Sequence, residues 1–372
     1  MTAIYAHLPF CPYICPYCDF AKWPHRRSMA ERYMNALRAE IEREPAFEGG
    51  TIFLGGGTPN TYDAKTIVSL IELLRARFGC SGETTIEVNP ELVTFEALQE
   101  YARAGIDRLS IGVQSFADAE IATLGRRHTV ADVRAAVEGA RRAGTRSISL
   151  DLIFAIPGQT REAWRASLDT AVALGVDHLS LYGLTIEAGT PFAAWHARDP
   201  AVFTGDALEA DLYELGIDTL QRAGFEQYEV SNFARPGHRC AHNATYWRNE
   251  PYRGFGVGAA SFREGLRWTQ TRDFERYCDA LERGTAVPRE AERLTGAARA
   301  GEAVMLALRT AEGVQFSEFA QRYGIDFRAF YRPIWTKLAA AGFLEVNETS
   351  ARLTKPGLML ANDVCGEFVT FA

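Results

Sequence analysis

Cys11, Cys15 and Cys18 lie in the run Tyr5-Ala-His-Leu-Pro-Phe-Cys-Pro-Tyr-Ile-Cys-Pro-Tyr-Cys-Asp-Phe20, with the spacing C-x3-C-x2-C. Three thiolates this close, on a loop rich in proline and aromatics, can hold three irons of a 4Fe–4S cluster. The fourth iron is then without a protein ligand, and an open iron is a place where a small molecule can chelate and react. Zinc is the competing reading. A structural zinc wants four ligands; His7 is a candidate fourth, whereas Cys80 is far along the chain.

Strand-like runs at Ile4–Leu8, Thr51–Leu54, Thr84–Val88, Arg108–Val113, Ser147–Phe154 and His178–Gly183 alternate with helical stretches such as Met29–Arg43, Ala64–Phe78, Val130–Ala143 and Arg161–Leu174. That rhythm predicts an α/β fold with a parallel sheet. Successive strand side chains point to opposite faces. Ile148, Leu150, Leu152 and Phe154 therefore oppose Ser147, Ser149 and Asp151. In the same way Glu87 and Asn89 oppose Ile86 and Val88, Ser110 and Gln114 oppose Leu109 and Ile111, and Ser180 and Tyr182 oppose two leucines. Strands dry on both faces would read as continuous apolar runs, and a packed eight-stranded barrel fills its lumen with branched apolar side chains. A polar inner face instead predicts a wider or incomplete barrel that holds solvent and ligand. An antiparallel sheet with one wet face is the alternative, and the intervening helices weigh against it.

The 372 residues leave room for one large domain and one small one, and 47% hydrophobic content supports sizeable cores. Three regions are expected: a barrel over 1–232, a connecting segment over 233–294, and a C-terminal unit over 295–372. The last begins with helices at Ala297–Arg309, Gln315–Tyr323 and Phe327–Ala341, continues with two short strands around a polar turn within Phe343–Thr354, and ends in a helix starting near Lys355-Pro-Gly357. This pattern is winged-helix-like. Such units often bind DNA, but eight Lys/Arg face eight Asp/Glu from Thr295 onward, and the whole chain carries a formal charge of −7. A nucleic-acid partner normally leaves a basic footprint, so none is expected. Cys80, Cys240, Cys278 and Cys365 are scattered and read as buried or idle thiols rather than a disulfide framework. An oxygen-sensitive cluster needs a reducing compartment, which points to the cytosol. Neither a signal peptide nor a run of ~20 apolar residues is expected.

Gly55-Gly-Gly-Thr-Pro59 follows the second strand, and glycines let backbone approach a ligand closely. Glu87, Gln114 and Asp151 point to the polar face from three strands, with Arg126 as a candidate partner for the carboxylates. Tyr5 and Tyr17 flank the cysteine loop and are placed to touch a ligand or shield a cluster. An internal polar network without a ligand is the bland alternative.

Together the cysteine and glycine loops resemble the signature of radical S-adenosylmethionine (SAM) enzymes. In that family the amino and carboxylate groups of SAM bind the open iron, the cluster supplies an electron that breaks a C–S bond, and the fold is a partial (β/α)6 barrel. The likeness runs almost end to end with the group that contains oxygen-independent coproporphyrinogen III oxidase. It includes Ile86-Glu-Val-Asn-Pro90, Leu109-Ser-Ile-Gly-Val-Gln-Ser-Phe116, Leu124-Gly-Arg-Arg-His128 and Leu150-Asp-Leu-Ile-Phe-Ala-Ile-Pro-Gly-Gln159. The resemblance implies SAM contacts at Tyr5, Gly56, Gly57, Thr58, Glu87, Gln114, Arg126 and Asp151.

Two features choose a branch. The oxidases carry a fourth cysteine where this chain has Phe20, and a longer segment before the cluster motif. The HemW-type heme chaperones instead show Cys-Asp-Phe and a His-Asn-x-x-Tyr-Trp motif, matched here by Cys18-Asp-Phe20 and His242-Asn-Ala-Thr-Tyr-Trp247. Histidine is a common axial ligand of heme iron, and Tyr246 and Trp247 offer flat apolar faces. A turn in which His242 and Asn243 satisfy backbone groups while the aromatics pack fits the same residues. The resemblance favours heme contact at His242, Asn243, Tyr246 and Trp247, with ligation by His242 left open. It implies a heme chaperone with no assigned catalytic residue, binding a 4Fe–4S cluster, SAM and heme, and delivering heme to apo-hemoproteins, membrane respiratory proteins among them. It also implies peripheral membrane association and a SAM site that supports homodimerisation or gating. Radical decarboxylation of coproporphyrinogen III is the second hypothesis. A winged-helix oxygen sensor is the third, against which the balanced C-terminal charge argues.

Overall fold

The six expected strands lie side by side in chain order, all parallel: Thr2–Leu8, Gly49–Gly56, Thr84–Val88, Arg108–Gln114, Ser147–Phe154 and His178–Gly183. The protein is described by a computed structural model covering residues 1–370. Helices Arg27–Arg43, Ala64–Phe78, Phe95–Arg103, Val130–Ala143 and Arg161–Ala173 join the strands. Local chemistry sets their limits. Asp63, Thr94 and Thr160 accept a backbone N–H in the first turn of the helices they precede, and Thr129 with Asp132 forms a reciprocal capping box. Gly79 and Gly144 adopt left-handed backbone that stops two of the helices.

Strand parity acts as expected. Ile148, Leu150 and Leu152 are fully buried in the main core, which also holds Leu168 and Trp164 from the helix outside. On the inner side Ser149, His178 and Ser180 are buried polar residues.

The sheet does not stop at six strands. Beyond His178–Gly183 it adds Asn232–Ala234 and Glu226–Gln227, both antiparallel. Beyond Thr2–Leu8 it adds Tyr252–Phe255, parallel, and then Ala260–Arg263, Leu266–Gln270 and Arg289–Arg293, antiparallel. Residues 233–294, expected as a connecting segment, therefore supply four strands and two helices, Ala241–Trp247 and Phe274–Glu282, to the barrel body. Strands of four or five residues separated by glycine turns carry too few alternations to show a period.

One buried acid ties this extension down. Glu40, on the first helix, accepts hydrogen bonds from Arg253 Nη2 (2.9 Å), Gly256 N (2.9 Å), Tyr277 Oη (2.6 Å) and Gln270 Nε2. Nearby, Tyr33 Oη donates to the carbonyl of His7 at 2.8 Å and accepts from Val257 N at 3.2 Å. Burying a carboxylate costs least when it is paired and saturated with donors, as Glu40 is.

The C-terminal unit has its own core of Ala300, Val304, Leu308, Phe319, Phe327, Tyr331 and Phe368. Helices Gly296–Leu308 and Phe316–Tyr323 precede a break at Tyr331, where the expected single helix divides into Phe327–Phe330 and Arg332–Ala340. Pro333 lies in the first turn of the second piece, where its missing N–H costs nothing. The hairpin Leu344–Val346 and Ser350–Leu353 is joined by Val314–Gln315, and helices Lys355–Met359 and Ala361–Thr370 follow. Among the described residues no helix is long and apolar enough to cross a membrane.

Glu40→Ala should lower unfolding free energy by about 3–5 kcal/mol, because it strips the acceptor from the buried donors of Tyr277, Gln270 and Gly256 and leaves Arg253 with Glu44 as its remaining acid. Chemical denaturation of the two proteins measures this.

Candidate functional site

The strands end together at Leu8, Gly56, Val88, Gln114, Phe154 and Gly183, and the loops after them build one cavity of about 470 Å3. Cys11, Cys15 and Cys18 rim it, and Tyr17, Gly56, Gly57, Thr58, Glu87, Gln114, Arg126 and Asp151 stand in its wall. Backbone pairing fixes the cysteine loop against the glycine loop. Thr58 N donates to Phe10 O and Gly57 N to Leu8 O, both at 2.9 Å. A Cβ on Gly57 would lie 2.6 Å from the backbone of Pro9, so no side chain fits between the two loops. Lys22 Nζ closes the other side by donating to the carbonyl of Cys18.

Tyr5 is the exception among the expected SAM contacts. Its hydroxyl pairs with His7 Nδ1 at 3.0 Å, its ring lies beside Phe53, and it lines a second cavity deeper in the barrel. Tyr17 packs beside Phe192 in a small cluster with Leu124 and Ile156, so it covers the loop from one flank.

The donor set fits an iron–sulfur cluster. Three thiols are soft ligands suited to iron–sulfur binding. A zinc site needs four donors about one point, and among the described residues no three His, Cys, Asp or Glu side chains gather closely enough to hold a single ion. Burial pushes the Cys11 thiol up to about 11 and raises that of Cys18, so metal loading would displace protons.

The polar wall fits a cationic, hydroxyl-bearing ligand. Glu87 Oε2 accepts from Gly56 N at 3.0 Å. Burial, followed by repulsion from Asp151, pushes the Glu87 carboxyl up to about 7. Asp151 accepts from Ser110 Oγ at 3.0 and 3.2 Å and is also raised, chiefly by burial. Arg126 does not pair with either acid, contrary to expectation. Its Nη2 donates to Asn89 Oδ1 (2.9 Å) and to the carbonyl of Gly112 (2.6 Å), and Nη1 lies 3.9 Å from Cys15 Sγ. The guanidinium thus faces the cluster loop. Among the described residues the two acids make no ion pair. Gln114 has φ +67° where the strand register shifts after Gly112. Left-handed backbone at a non-glycine residue costs about 1–3 kcal/mol and concentrates at functional sites. Asn89, Ser110, Gly112 and Tyr182 also line the cavity; their shared parity was visible in the sequence. Lys22 gave no such signal.

Glu87, Ser110, Asp151 and Tyr182 also wall the deeper cavity, of about 200 Å3, so the two spaces share one lumen. Its lower lining includes Arg108 and His178, the first residues of their strands, and His242, Asn243 and Tyr246. Helix Ala241–Trp247 therefore plugs the barrel end opposite the cysteines. His242 is wholly buried, its Nδ1 paired with Thr51 Oγ1 and its Nε2 with Tyr246 Oη, each at 2.8 Å, and its ring lies 5.1 Å from that of Phe53. Burial pushes its pKa down to about 3. Neither nitrogen is free, so iron ligation by His242, which the sequence leaves open, is not available in this arrangement. Trp247 faces the other way, into a groove of about 420 Å3 between the plug helix and the C-terminal unit, together with Ala303, Phe319 and Tyr323. The motif is split between lumen and groove.

The Radical SAM superfamily model matches residues 5–171, and the HemN C-terminal domain model matches residues 294–360. A curated heme chaperone HemW of Bacillus subtilis is 35% identical over 99% of each chain. The heme chaperone HemW of Escherichia coli is 38% identical over 73% of this chain and 74% of its own. Among solved structures, the radical SAM enzyme coproporphyrinogen III oxidase (HemN) from Escherichia coli superposes with a TM-score of 0.87 at 25% identity, covering 100% of this chain and 91% of that one.

The raised carboxyl makes a signed prediction. A carboxyl whose folded pKa lies above its unfolded value of about 4.5 holds its proton more tightly in the folded state, so stability is lost as pH rises from about 4.5 to about 7. The loss amounts to about 3 kcal/mol at most. Glu87→Gln should remove that part of the slope when the unfolding free energies of both proteins are compared across this window.

Proposed function

The chain belongs to the HemW family of radical SAM proteins, and from that premise we propose that it carries heme to apo-hemoproteins on a scaffold that also holds a 4Fe–4S cluster and SAM. Cys11, Cys15 and Cys18 are the cluster ligands in this reading. Bound there, the cluster supplies an open iron and a source of single electrons. The chain's own residues do the rest. Glu87 and Asp151 accept hydrogen bonds from ammonium and hydroxyl groups in a buried site, where such bonds are stronger than in bulk water. Gly56, Gly57 and Thr58 present backbone to the ligand, and Gln114 is aimed by its bulge. Arg126 sets a fixed positive charge beside Cys15. Tyr17 and its apolar neighbours keep water from one side of the loop.

Heme, as cargo, is proposed to lie against the outer face of the plug helix. There Trp247, Phe319 and Tyr323 offer aromatic surface, with Arg248 beside them for a carboxylate group, while Arg322 donates to the carbonyls of Arg248 and Asn249. His242, Asn243 and Tyr246 hold the same helix from inside. The recipients are proposed to include membrane respiratory proteins, met by peripheral contact from the cytosolic side, and a homodimer is the proposed assembly.

The observation that carries this reading is the end-to-end likeness to a curated heme chaperone, 35% identity over 99% of both chains. Phe20, 67% exposed at the mouth of the cysteine cavity, adds to it, since it stands where the oxidases carry a further cysteine. Radical oxidation of coproporphyrinogen III is kept as a second reading because the cysteine cavity is intact and the backbone superposes on that of the oxidase with a TM-score of 0.87.

Heme titration of the anaerobically reconstituted protein tests the choice. One heme should bind per chain, about tenfold or more weakly in Trp247→Ala, with no protoporphyrinogen formed from coproporphyrinogen III, SAM and reductant. His242→Ala should cost about 2–4 kcal/mol of stability yet leave the position of the Soret band unchanged. A shifted Soret band would make His242 a ligand, and porphyrinogen turnover without stoichiometric heme binding would select the second reading.

A further inference from the structure

Arg108 carries a charge that the fold buries, and among the described residues no acid pairs with it. The residue is 2% exposed at the start of its strand. Its Nη1 donates to Ser147 Oγ at 2.8 Å and to the carbonyl of His238 at 2.9 Å. Its Nη2 is buried without a partner and the side chain lines the deeper cavity. Thr85 faces Arg108 across the parallel ladder, and its Oγ1 is also buried and unpartnered. A buried guanidinium without a counter-charge is costly, and two orphaned polar groups on neighbouring strands, Arg108 itself lining this polar cavity, call for an acceptor.

The rest of the lining narrows what that acceptor is. His178 cannot serve, because its Nδ1 pairs with Ser149 Oγ and its Nε2 with Tyr228 Oη, each at 2.8 Å. Asn243 lines the same space and can donate through its amide. At the upper end Glu87 and Asp151 repel an anion, so an anion is confined to the Arg108 end. The cavity, about 200 Å3, admits only a small molecule. A guanidinium fork matches carboxylates and related oxyanions. We propose that the Arg108 end of the lumen is a binding site for one small carboxylate or similar oxyanion, held by Arg108, Thr85 and Asn243, at the opposite end of the lumen from the cysteines and distinct from the Trp247 groove.

The site does not depend on heme or SAM, so it is tested on the chain without either. Equilibrium dialysis against radiolabelled acetate at constant chloride should show saturable uptake of one acetate per chain, accompanied by a rise in Tm of about 3 °C near saturation. Arg108→Met should abolish both. If that variant does not fold, Thr85→Val and Asn243→Ala should each weaken uptake about tenfold. No saturable uptake by the wild type overturns the proposal and leaves the cavity to water alone. Uptake unchanged in Arg108→Met, or in both Thr85→Val and Asn243→Ala, equally overturns it.

Discussion

Two carboxylates, Glu87 and Asp151, are held inside a barrel, and among the described residues neither makes an ion pair. The electrostatic cost of that arrangement shapes much of the molecule. That cost appears as raised carboxyl pKa values, Glu87 up to about 7, and a ligand that supplies hydrogen-bond donors to the lumen would lower it. The inner strands mostly turn polar residues inward, with Phe53 and Ile153 as apolar exceptions, and bury their apolar side beneath helices. The sheet grows sideways at both ends instead of closing on itself as a packed barrel would. Glu40, by contrast, is saturated with donors and performs a purely structural task. The difference between it and Glu87 separates a scaffold acid from a site acid.

The lumen has two ends with different characters. At the strand C-termini the thiols, the glycine loop, the bulged Gln114 and Arg126 converge on a cavity suited to a cluster and its ligand. At the strand N-termini the plug helix closes the space with His242, Asn243 and Tyr246. One short helix thereby touches both the interior shared with the acids and the outer groove of Trp247. A change in the filling of the lumen has a direct physical route to the groove through His242, Tyr246 and the helix they brace.

Much of this was legible in the chain, for identifiable reasons. Thr84–Val88, Ser147–Phe154 and His178–Gly183 are strands over the very residues that their alternation marks, and the polar parity of Glu87, Gln114 and Asp151 placed them on one face. The cysteine spacing is local and survives any rearrangement of the rest. What was not legible depends on contacts distant in sequence. Arg126 was a reasonable partner for the acids by proximity in the fold, yet it is claimed by Asn89 and the Gly112 carbonyl. Tyr5 is drawn down by His7. His242 has chemistry that suits a metal ligand, but Thr51, nearly two hundred residues earlier, and Tyr246, one turn later, occupy its nitrogens. The short strands after residue 233 reveal themselves only when paired.

The most direct measurement is the affinity of SAM for the anaerobically reconstituted protein, by calorimetry, in the wild type and in Glu87→Gln and Asp151→Asn. If the two unpaired acids exist to receive the ligand, each variant should bind about tenfold or more weakly, since a hydrogen bond to a charged group is worth about 1.5–3 kcal/mol. Equal affinity in all three proteins would contradict this, and would make the acids part of an internal network with no ligand to hold.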